Sequence, residues 1–254
     1  GTEVGPVTAY SSFQLTQALL GQTATKTSRG VWLATPSNPT GTVLTQAQLS
    51  DIAQWCDRQD MHVLVDEIYH GLDYSDGLVS VLTVSDDAIV INSFSKYFGM
   101  TGWRLGWLVV PQELVPACNI LAQNLFIAAS TPAQYAALRA FDADTRIILE
   151  ERRHQFAQRR DYLSAALKEL GFSIDTPTLG AFYIYAGIEK FADDCEIFCK
   201  VLLEEFGVAV TPGTDFGEFE NKRFVRFAFT TGMDQLELAV ERLKMAVGSG
   251  KLGR

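Results

Sequence analysis

The sequence is short of several residue types, and each shortage excludes a kind of protein. Only 4 of its 254 residues are cysteine, which is too few and too scattered for a disulfide framework, so the cytoplasm is the expected compartment. The three histidines, His62, His70 and His154, form no metal-ligand spacing with one another or with the cysteines, so we predict no metal site. No run of about 18 apolar residues occurs, so no membrane-spanning helix is predicted.

Positive charge is also in short supply. The chain has 21 Lys and Arg residues against 30 Asp and Glu residues, a net charge of −9 at pH 7. This balance argues against nucleic acid or a membrane surface as a partner, although it permits a local basic pocket for a small anion. A hydrophobic fraction of 47% and a charged fraction of 20% are typical of a globular protein.

Three apolar segments share one design, in which a continuous apolar run breaks into polar residues. Their sequences are GVWLATPSNPTG (30–41), MHVLVDEIYHGL (61–72) and AIVINSFSKYFG (88–99). Continuous, β-branched runs are typical of strands that are buried on both faces of a parallel sheet. We therefore predict three such strands.

The polar residues that end these segments are evenly spaced. Asn38, Asp66 and Ser93 are 28 and 27 residues apart, about the length of one βαβ unit. Thr45 and Gln48 form a capping-box pattern at the start of the intervening helix. Because strands joined in this way are parallel, their carboxyl ends share one edge of the sheet, where open α/β sheets bind ligands.

The pattern changes towards the C-terminus. Residues 104–111 are typical of a further strand, 112–142 are rich in helix, and 145–170 are typical of one long helix. Short strands, in GFSIDT, AFYIYA, GVAVTP and FVRFAF, then alternate with helices at about 193–206 and 233–246. We predict an α/β fold with a mostly parallel sheet in a large domain (1–145), a smaller α+β C-terminal domain (146–248) and a disordered tail (249–254).

Lys96 and Asp66 each allow two interpretations. Lys96 is either a surface lysine at the start of a helix or, close to Tyr97 and Phe98, a partly desolvated amine suited to Schiff-base chemistry. Asp66 is either the N-cap of a following helix or a buried carboxylate that pairs with a cationic group of a ligand. In the second case Tyr69 could present its phenol to the same ligand.

The remaining candidates are equally open at this stage. Asn38 is either a turn former or a ligand contact, and Arg104 is either a surface charge or a planar fork for an anion. Arg226 is either an edge-strand guard against aggregation or a buried guanidinium that binds a carboxylate. Ser93 and Lys96 also have the S-x-x-K spacing of serine acyl-transferring enzymes, but the chain lacks the S-D-N and K-T-G elements of that chemistry.

Taken together, the motifs resemble the class I/II aminotransferases, fold type I enzymes that use pyridoxal 5′-phosphate (PLP). The matching pieces are SNPTG, DEIYHGL, SFSKYFGMTGWRLGW, GAFY and TPGTDFG followed by VRFAF, in the family's order over nearly the whole chain. The resemblance implies the fold of PLP-dependent transferases and transfer of an amino group between an L-amino acid and a 2-oxo acid. Within the same fold, a carbon–sulfur lyase is an alternative.

The resemblance assigns roles around the cofactor ring. Lys96 matches the catalytic lysine that holds PLP as an internal aldimine and then shuttles a proton between the substrate Cα and the cofactor. Asp66 matches the carboxylate that keeps the pyridinium nitrogen protonated. Asn38 and Tyr69 match the residues that donate hydrogen bonds to the ring oxygen.

The resemblance also assigns the two anion contacts and a partner. Ser93 and Arg104 match phosphate-binding positions, with Ser95 as a weaker candidate. Arg226 matches the arginine that binds the substrate α-carboxylate, and Asn38 is expected to lie beside that substrate. A homodimer is expected, because the sites of the family usually lie at a two-fold interface. Relatives have a further N-terminal third, so an inactive shortened protein is the other alternative.

Overall fold

The chain divides into two compact units. The computed structural model describes residues 7–8, 11–75 and 77–253. Of the described residues, the first unit contains Val7, Gln14–Ser37 and Val43–Arg153. The second contains Thr8, residues 11–13, Asn38–Thr42 and the residues from His154 onwards. Residues 1–6, 9–10, 76 and 254 lie outside the described residues, and so do the parts of the predicted large domain and tail that fall on them.

The first unit is built on a four-stranded sheet. Strands β1 (Gly30–Ala34), β2 (His62–Asp66) and β3 (Ile89–Ser93) are parallel neighbours in that order, and β4 (Gly106–Val109) pairs antiparallel with β3. The prediction of three parallel strands is therefore confirmed. Asp66 lies beside Ile91 in the register, so β2 and β3 end next to each other.

The helices of the first unit follow the apolar periodicity of the sequence. The predicted capping box is present, with the Thr45 hydroxyl accepting from the backbone N of Gln48 and the Gln48 side chain accepting from the backbone N of Thr45. In the described part of the crossover between β2 and β3, the regular structure is a short 3-10 turn at Val81–Thr83. The helices are α1 (Gln17–Thr23), α2 (Gln46–Arg58), α3 (Val115–Phe126), α4 (Thr131–Arg139) and α5 (Ala143–Leu170), the last of which ends in the second unit.

The two faces of the sheet differ in burial. In β1, Val31 and Leu33 are buried, whereas Trp32 between them is 69% exposed, and in β4 Leu108 is 55% exposed. The prediction that the strands are buried on both faces is therefore wrong for β1, where Trp32 is exposed. The apolar side chains of α1 and α2 join the core on the Val31 face only. That core consists of Leu20, Val31, Leu33, Leu44, Leu49, Ile52, Cys56, Val63, Val65, Val81, Ala88 and Val90.

Helix α3 is also exposed. None of its described residues is buried, and Leu125 and Phe126 are 69% and 73% exposed. Among the described residues, no single helix combines the length and apolar character needed to cross a membrane; the segments Gln112–Phe126 and Thr131–Arg139 meet that requirement only together, across a bend of 118°. Several exposed apolar side chains on one helix are typical of a contact region.

The second unit contains an antiparallel sheet with the strand order β5–β7–β6. The strands are β5 (Tyr183–Gly187), β6 (Thr211–Pro212) and β7 (Phe224–Ala228). Helices α6 (Cys195–Phe206) and α7 (Met233–Ser249) contribute apolar faces to its core. Helix α6 begins at the N-cap Asp194, whose carboxylate accepts from two backbone N–H groups, and ends at the left-handed Gly207.

Two features of this unit differ from the sequence-based expectation. The strand expected in GFSIDT is reduced to a single bridge between Ser173 and Gly187. In the segment expected to be a disordered tail, α7 extends to Ser249, Leu252 is buried and Lys251 pairs with Glu205 at 2.7 Å. Burial of the apolar Leu252 side chain accounts for this packing. The glycine-rich composition of the segment did not indicate that one of its residues would be buried.

Candidate functional site

The carboxyl ends of β2 and β3 bring three of the candidate residues into one region of the first unit. Asp66 is the last residue of β2, Ser93 is the last of β3, and Lys96 lies in the turn that follows. Lys96 is half-buried, and its Nζ lies 5.7 Å from the centroid of the buried Tyr69 ring. Burial raises the pKa of Asp66, and the positive charge of Lys96 partly opposes that rise. A carboxylate, an amine and a phenol are thus close to one sheet edge.

Asp66 is a partly buried carboxylate rather than a helix cap. Burial raises the pKa of Asp66, while a hydrogen bond from the backbone N of Ile68 at 3.0 Å and the charge of Lys96 oppose that rise. Residues 68–71 form a turn, not a helix, so the N-cap alternative does not hold. The group is held in an environment that disfavours its charge, as is common at functional sites.

Replacing Asp66 with asparagine is expected to stabilise the fold at neutral pH by about 1 kcal/mol or less, because Asn keeps the acceptor for Ile68 without a desolvated charge. A carboxyl whose pKa is raised on folding binds more protons in the folded state than in the unfolded state. Its destabilising effect therefore develops as pH rises from the unfolded pKa through the higher folded pKa. The advantage of Asp66→Asn should therefore shrink as pH falls, and thermal unfolding from pH 3.5 to 8 measures it. Equal stabilities throughout that range would contradict this interpretation.

Ser93, Ser95 and Arg104 lie in the connection between β3 and β4. The Ser93 hydroxyl donates to the carbonyl of Leu105 at 3.1 Å and lies 2.9 Å from the hydroxyl of Ser95, whose backbone N donates back to Ser93 at 3.0 Å. Arg104 is exposed, with a left-handed backbone, and its Nη1 donates to the carbonyl of Thr101 at 3.1 Å. The connection thus offers two hydroxyls and a guanidinium.

Arg226 is the centre of a separate cluster in the second unit. Its Nη1 donates to Oδ1 of Asn38 at 2.7 Å, and its Nη2 donates to Oγ1 of Thr211 at 3.3 Å. The guanidinium carbon lies 4.1 Å from the centroid of the Tyr183 ring and 4.7 Å from that of Phe216. Nε of Arg226 is buried, and no described residue accepts its proton. The guanidinium of Arg226 is thus held in place by two aromatic rings and two side-chain oxygens.

These contacts decide between the alternatives for Arg226. Strand β7 lies between β5 and β6, so Arg226 is not on an edge strand and does not guard one. A buried donor without an acceptor costs roughly 1–3 kcal/mol, and the oxygens that Arg226 does contact belong to neutral side chains. The arrangement therefore suits an anionic ligand.

Asn38 reaches Arg226 because the SNPTG motif folds into the second unit. Strand β1 ends at Ala34, so Asn38 is not a strand-end residue comparable with Asp66 and Ser93, as the even spacing had indicated. The backbone N–H groups of Leu179 and Gly180 both donate to the carbonyl of Gly41 at 2.8 Å. Two motifs that are far apart in the sequence, SNPTG and GAFY, are joined in this way.

Replacing Gly41 with alanine is expected to destabilise the second unit by about 2 kcal/mol or more. Gly41 has φ of +67°, and an added Cβ would lie 2.8 Å from the carbonyl O of Gly180 and 3.1 Å from that of Tyr183. Chemical denaturation monitored by far-UV circular dichroism measures the loss. Gly248→Ala is the matched control, because a Cβ at Gly248 meets no atom within 4 Å, and equal losses in both variants would refute the packing argument.

Comparison with known proteins identifies the lineage. Residues 1–243 match the family model for aminotransferase class I and II. The chain belongs to this family. Its α/β fold with a mostly parallel sheet is that of the solved aminotransferase structures that it resembles.

Several aminotransferases are similar over most of this chain. Valine–pyruvate aminotransferase of Mycobacterium tuberculosis is 41% identical over 85% of this chain and 56% of its own length, and aspartate aminotransferase of Bacillus subtilis is 35% identical over 92% and 61%. A crystal structure of an aminotransferase from Mycobacterium tuberculosis superposes with a TM-score of 0.92 at 39% identity, covering 96% of this chain and 63% of that one. The chain thus spans about three-fifths of the length of these aminotransferases.

Some residues of the cluster around Arg226 were not found from the sequence. Tyr183, Thr211 and Phe216 surround Arg226, yet none of them was named as a candidate. Arg226 pairs with Thr211 on one side and with Tyr185 on the other. Because side chains two residues apart in a strand share a face, Tyr183 lies on the same face as Tyr185. These two rules could have identified Thr211 and Tyr183 as neighbours of Arg226.

Glu67, beside Asp66 in the DEIYHGL motif, has a structural role. It is 3% exposed and accepts from the hydroxyl of Ser80 at 2.9 Å and the backbone N of Val81 at 2.8 Å. Its Oε2 lies 3.4 Å from Nδ1 of His70, and burial raises the pKa of Glu67 and lowers that of His70. Glu67 therefore fixes the irregular crossover. Among the described residues, no group of three His, Cys, Asp or Glu side chains could hold a metal ion.

Proposed function

We propose that this chain carries the PLP-binding lysine of an aminotransferase that moves an amino group between an L-amino acid and a 2-oxo acid. The observation that supports this most directly is the grouping of Asp66, Tyr69 and Lys96 at the ends of two neighbouring strands. The names of the similar aminotransferases favour amino-group transfer over the carbon–sulfur lyase alternative.

The donor set of the first unit suits PLP. The partly buried Asp66, whose charge is disfavoured by burial, gains a partner if a ring N–H⁺ lies against it. Lys96 would hold the cofactor through Nζ, and Tyr69 would donate to the ring oxygen. Ser93 and Arg104 would bind the phosphate, with Ser95 as a further donor. When bound, PLP supplies an electron sink for the bond broken at the substrate Cα.

The residues of this chain would then orient the substrate and move its proton. Arg226 would bind the α-carboxylate with its planar fork, held by the Tyr183 and Phe216 rings, while Asn38 fixes the Nη1 side of that fork. Nζ of Lys96 would take the proton from the substrate Cα and deliver it to the cofactor, and would carry it the opposite way in the reverse half of the transfer. A carboxylate contact of this kind fits L-amino acids and 2-oxo acids in general.

The setting of this activity is also part of the proposal. The first unit would serve as the PLP-binding domain and the second as the small domain. The four cysteines are unpaired in the described structure, which fits the cytoplasm. A homodimer is supported by the exposed apolar side chains of α3, because surfaces of this kind commonly mediate association.

The test is a visible absorption titration of the purified chain with PLP, followed by borohydride reduction and peptide mass mapping. A band that saturates with PLP, and a pyridoxyl label on Lys96, is the expected result. Addition of L-amino acids should then change the band, and an amine without a carboxylate should do so far less. A label scattered over exposed lysines such as Lys26 and Lys168, with none on Lys96, would refute the proposal.

A further inference from the structure

The turn that carries Lys96 is closed by its own backbone. The backbone N of Met100 donates to the carbonyl of Phe94 at 3.0 Å, and that of Gly99 donates to the carbonyl of Lys96 at 3.0 Å. The hydroxyl of Thr101 donates to the carbonyl of Ser95 at 2.6 Å. Residues 94–101 therefore form a compact loop, and a displacement of one residue in it moves its neighbours.

The aromatic side chains of this loop make two sets of contacts, which meet where the rings of Tyr97 and Phe98 lie 5.1 Å apart. Phe94 and Phe98 pack with Trp107 and Phe141 in one aromatic cluster. The ring of Tyr97 also covers Gly71, where an added Cβ would lie 2.5 Å from the ring Cγ. Gly71 follows Tyr69 by two residues, so the Tyr97 ring joins the Lys96 loop to the turn that carries Tyr69.

A chain of hydrogen bonds attaches both segments to α5. The Tyr97 hydroxyl donates to Oε1 of Glu150 at 2.6 Å, and Nε of Arg153 donates to Oε2 of the same carboxylate at 2.8 Å. Nη1 of Arg153 donates to the carbonyl of Asp73 at 3.1 Å. The chain returns to the segment 69–73, so the contacts of Tyr97, Glu150 and Arg153 form a closed ring with it.

The charges in this ring favour the arrangement. Burial, and then the bond to Glu150, raise the pKa of Tyr97 to about 12, so the phenol remains a donor at neutral pH. The Glu150 carboxylate is held by a neutral hydroxyl on one oxygen and a guanidinium on the other, and bonds to a charged acceptor are stronger than neutral ones.

We propose that Tyr97, Glu150 and Arg153 are positioning residues that fix the Lys96 loop against the Tyr69 turn. This proposal rests on the proposed function of Lys96. None of the three residues needs to contact the reacting atoms, because Tyr97 is the backbone neighbour of Lys96 and its ring sets the separation of the two segments. A misplacement of about 1 Å at a reacting group can cost roughly 10²-fold in rate, so such a clamp matters for the amine.

Hydrogen exchange of the chain without PLP tests the clamp directly. Tyr97→Phe removes only the hydroxyl, and Glu150→Ala removes the acceptor. Each is expected to raise exchange by about tenfold in peptides covering 69–73 and 94–99, with the rest of the chain unchanged. Glu150→Gln keeps an acceptor oxygen and should restore most of the protection. Tyr135→Phe and Glu113→Gln are controls at exposed positions and should leave both peptides unchanged.

A second readout links the clamp to Lys96. The rate at which PLP, trapped by borohydride, labels position 96 is expected to fall about tenfold in Tyr97→Phe and Glu150→Ala and to recover in Glu150→Gln. The pH midpoint of the visible band should shift in the same two variants. A general loss of stability would raise exchange throughout the chain instead.

The two proposals fail separately. If the parent chain carries no label on Lys96, the proposed function fails, and the exchange measurement still judges the clamp. If exchange in 69–73 and 94–99 is the same in Tyr97→Phe, Glu150→Ala and the parent chain, the clamp does not exist. If exchange rises but the labelling rate and the pH midpoint do not change, the three residues stabilise the loop without positioning Lys96, and the proposal is overturned.

Discussion

Replacing Lys96 with alanine is expected to abolish the pyridoxyl label at position 96 and to lower amino-group transfer by on the order of 10³-fold. The reason is that Nζ of Lys96 would both hold the cofactor and move the proton at the substrate Cα, and the half-buried position of Lys96 near Tyr69 and Asp66 is not duplicated by a surface lysine. Quantitative peptide mass mapping after borohydride reduction measures the label, and a coupled assay of 2-oxo acid formation measures the transfer.

Lys26→Ala provides the control, because Lys26 is an exposed lysine of the same unit. It should retain the label on Lys96 and the visible band. Circular dichroism must show that Lys96→Ala is folded, which is expected because the side chain is only half-buried. A folded Lys96→Ala chain that keeps both the band and the transfer activity would mean that another amine holds the cofactor.

The sequence predicted the strand ends better than the burial of the strands. Apolar runs ending in Asp66 and Ser93 gave the correct parallel strands, because their spacing matches a βαβ unit and the polar residues mark where each strand stops. The same runs predicted burial on both faces, yet Trp32 in the first of them is exposed. An apolar run indicates that its side chains are suited to burial, but it does not show which helix or strand packs against them. About two-fifths of the length of the similar aminotransferases lies outside the part that this chain matches.

The site was predicted from the sequence to a different degree in each unit. In the first unit, local spacing was sufficient, since Asp66, Tyr69, Ser93 and Lys96 lie within two consecutive strand ends. In the second unit, Arg226 contacts Asn38, which is 188 residues away in the sequence. A contact of this separation depends on the folding of the SNPTG segment into that unit, which no local pattern specifies. The clamp between Tyr97 and Glu150 was missed for the same reason, because helix periodicity does not show which residue a carboxylate will meet.

Replacing Arg226 with lysine is expected to weaken the interaction with the substrate carboxylate by about 10²-fold or more. Lysine cannot present two parallel N–H donors, and an ammonium does not stack between the Tyr183 and Phe216 rings as a guanidinium does. The hydrogen bond to Asn38, 2.7 Å long from Nη1, would also lose its donor geometry. The measurement is the L-amino acid concentration that gives half of the maximal change in the visible band of the PLP-loaded chain.

Two controls separate carboxylate recognition from a general effect on the second unit. Arg223→Lys changes an exposed arginine of the neighbouring turn, paired with Glu189 at 2.7 Å, and should leave the half-maximal concentration unchanged. A primary amine without a carboxylate should react equally weakly with the parent chain and with Arg226→Lys, because it makes no use of the guanidinium. If Arg226→Lys binds L-amino acids as well as the parent chain does, the buried Nε without an acceptor has a structural origin and the carboxylate binds elsewhere. If the loss is confined to substrates that carry a carboxylate, the Arg226 guanidinium binds that carboxylate. Amino acids and 2-oxo acids both carry this group, so the same guanidinium would serve both substrates of the transfer.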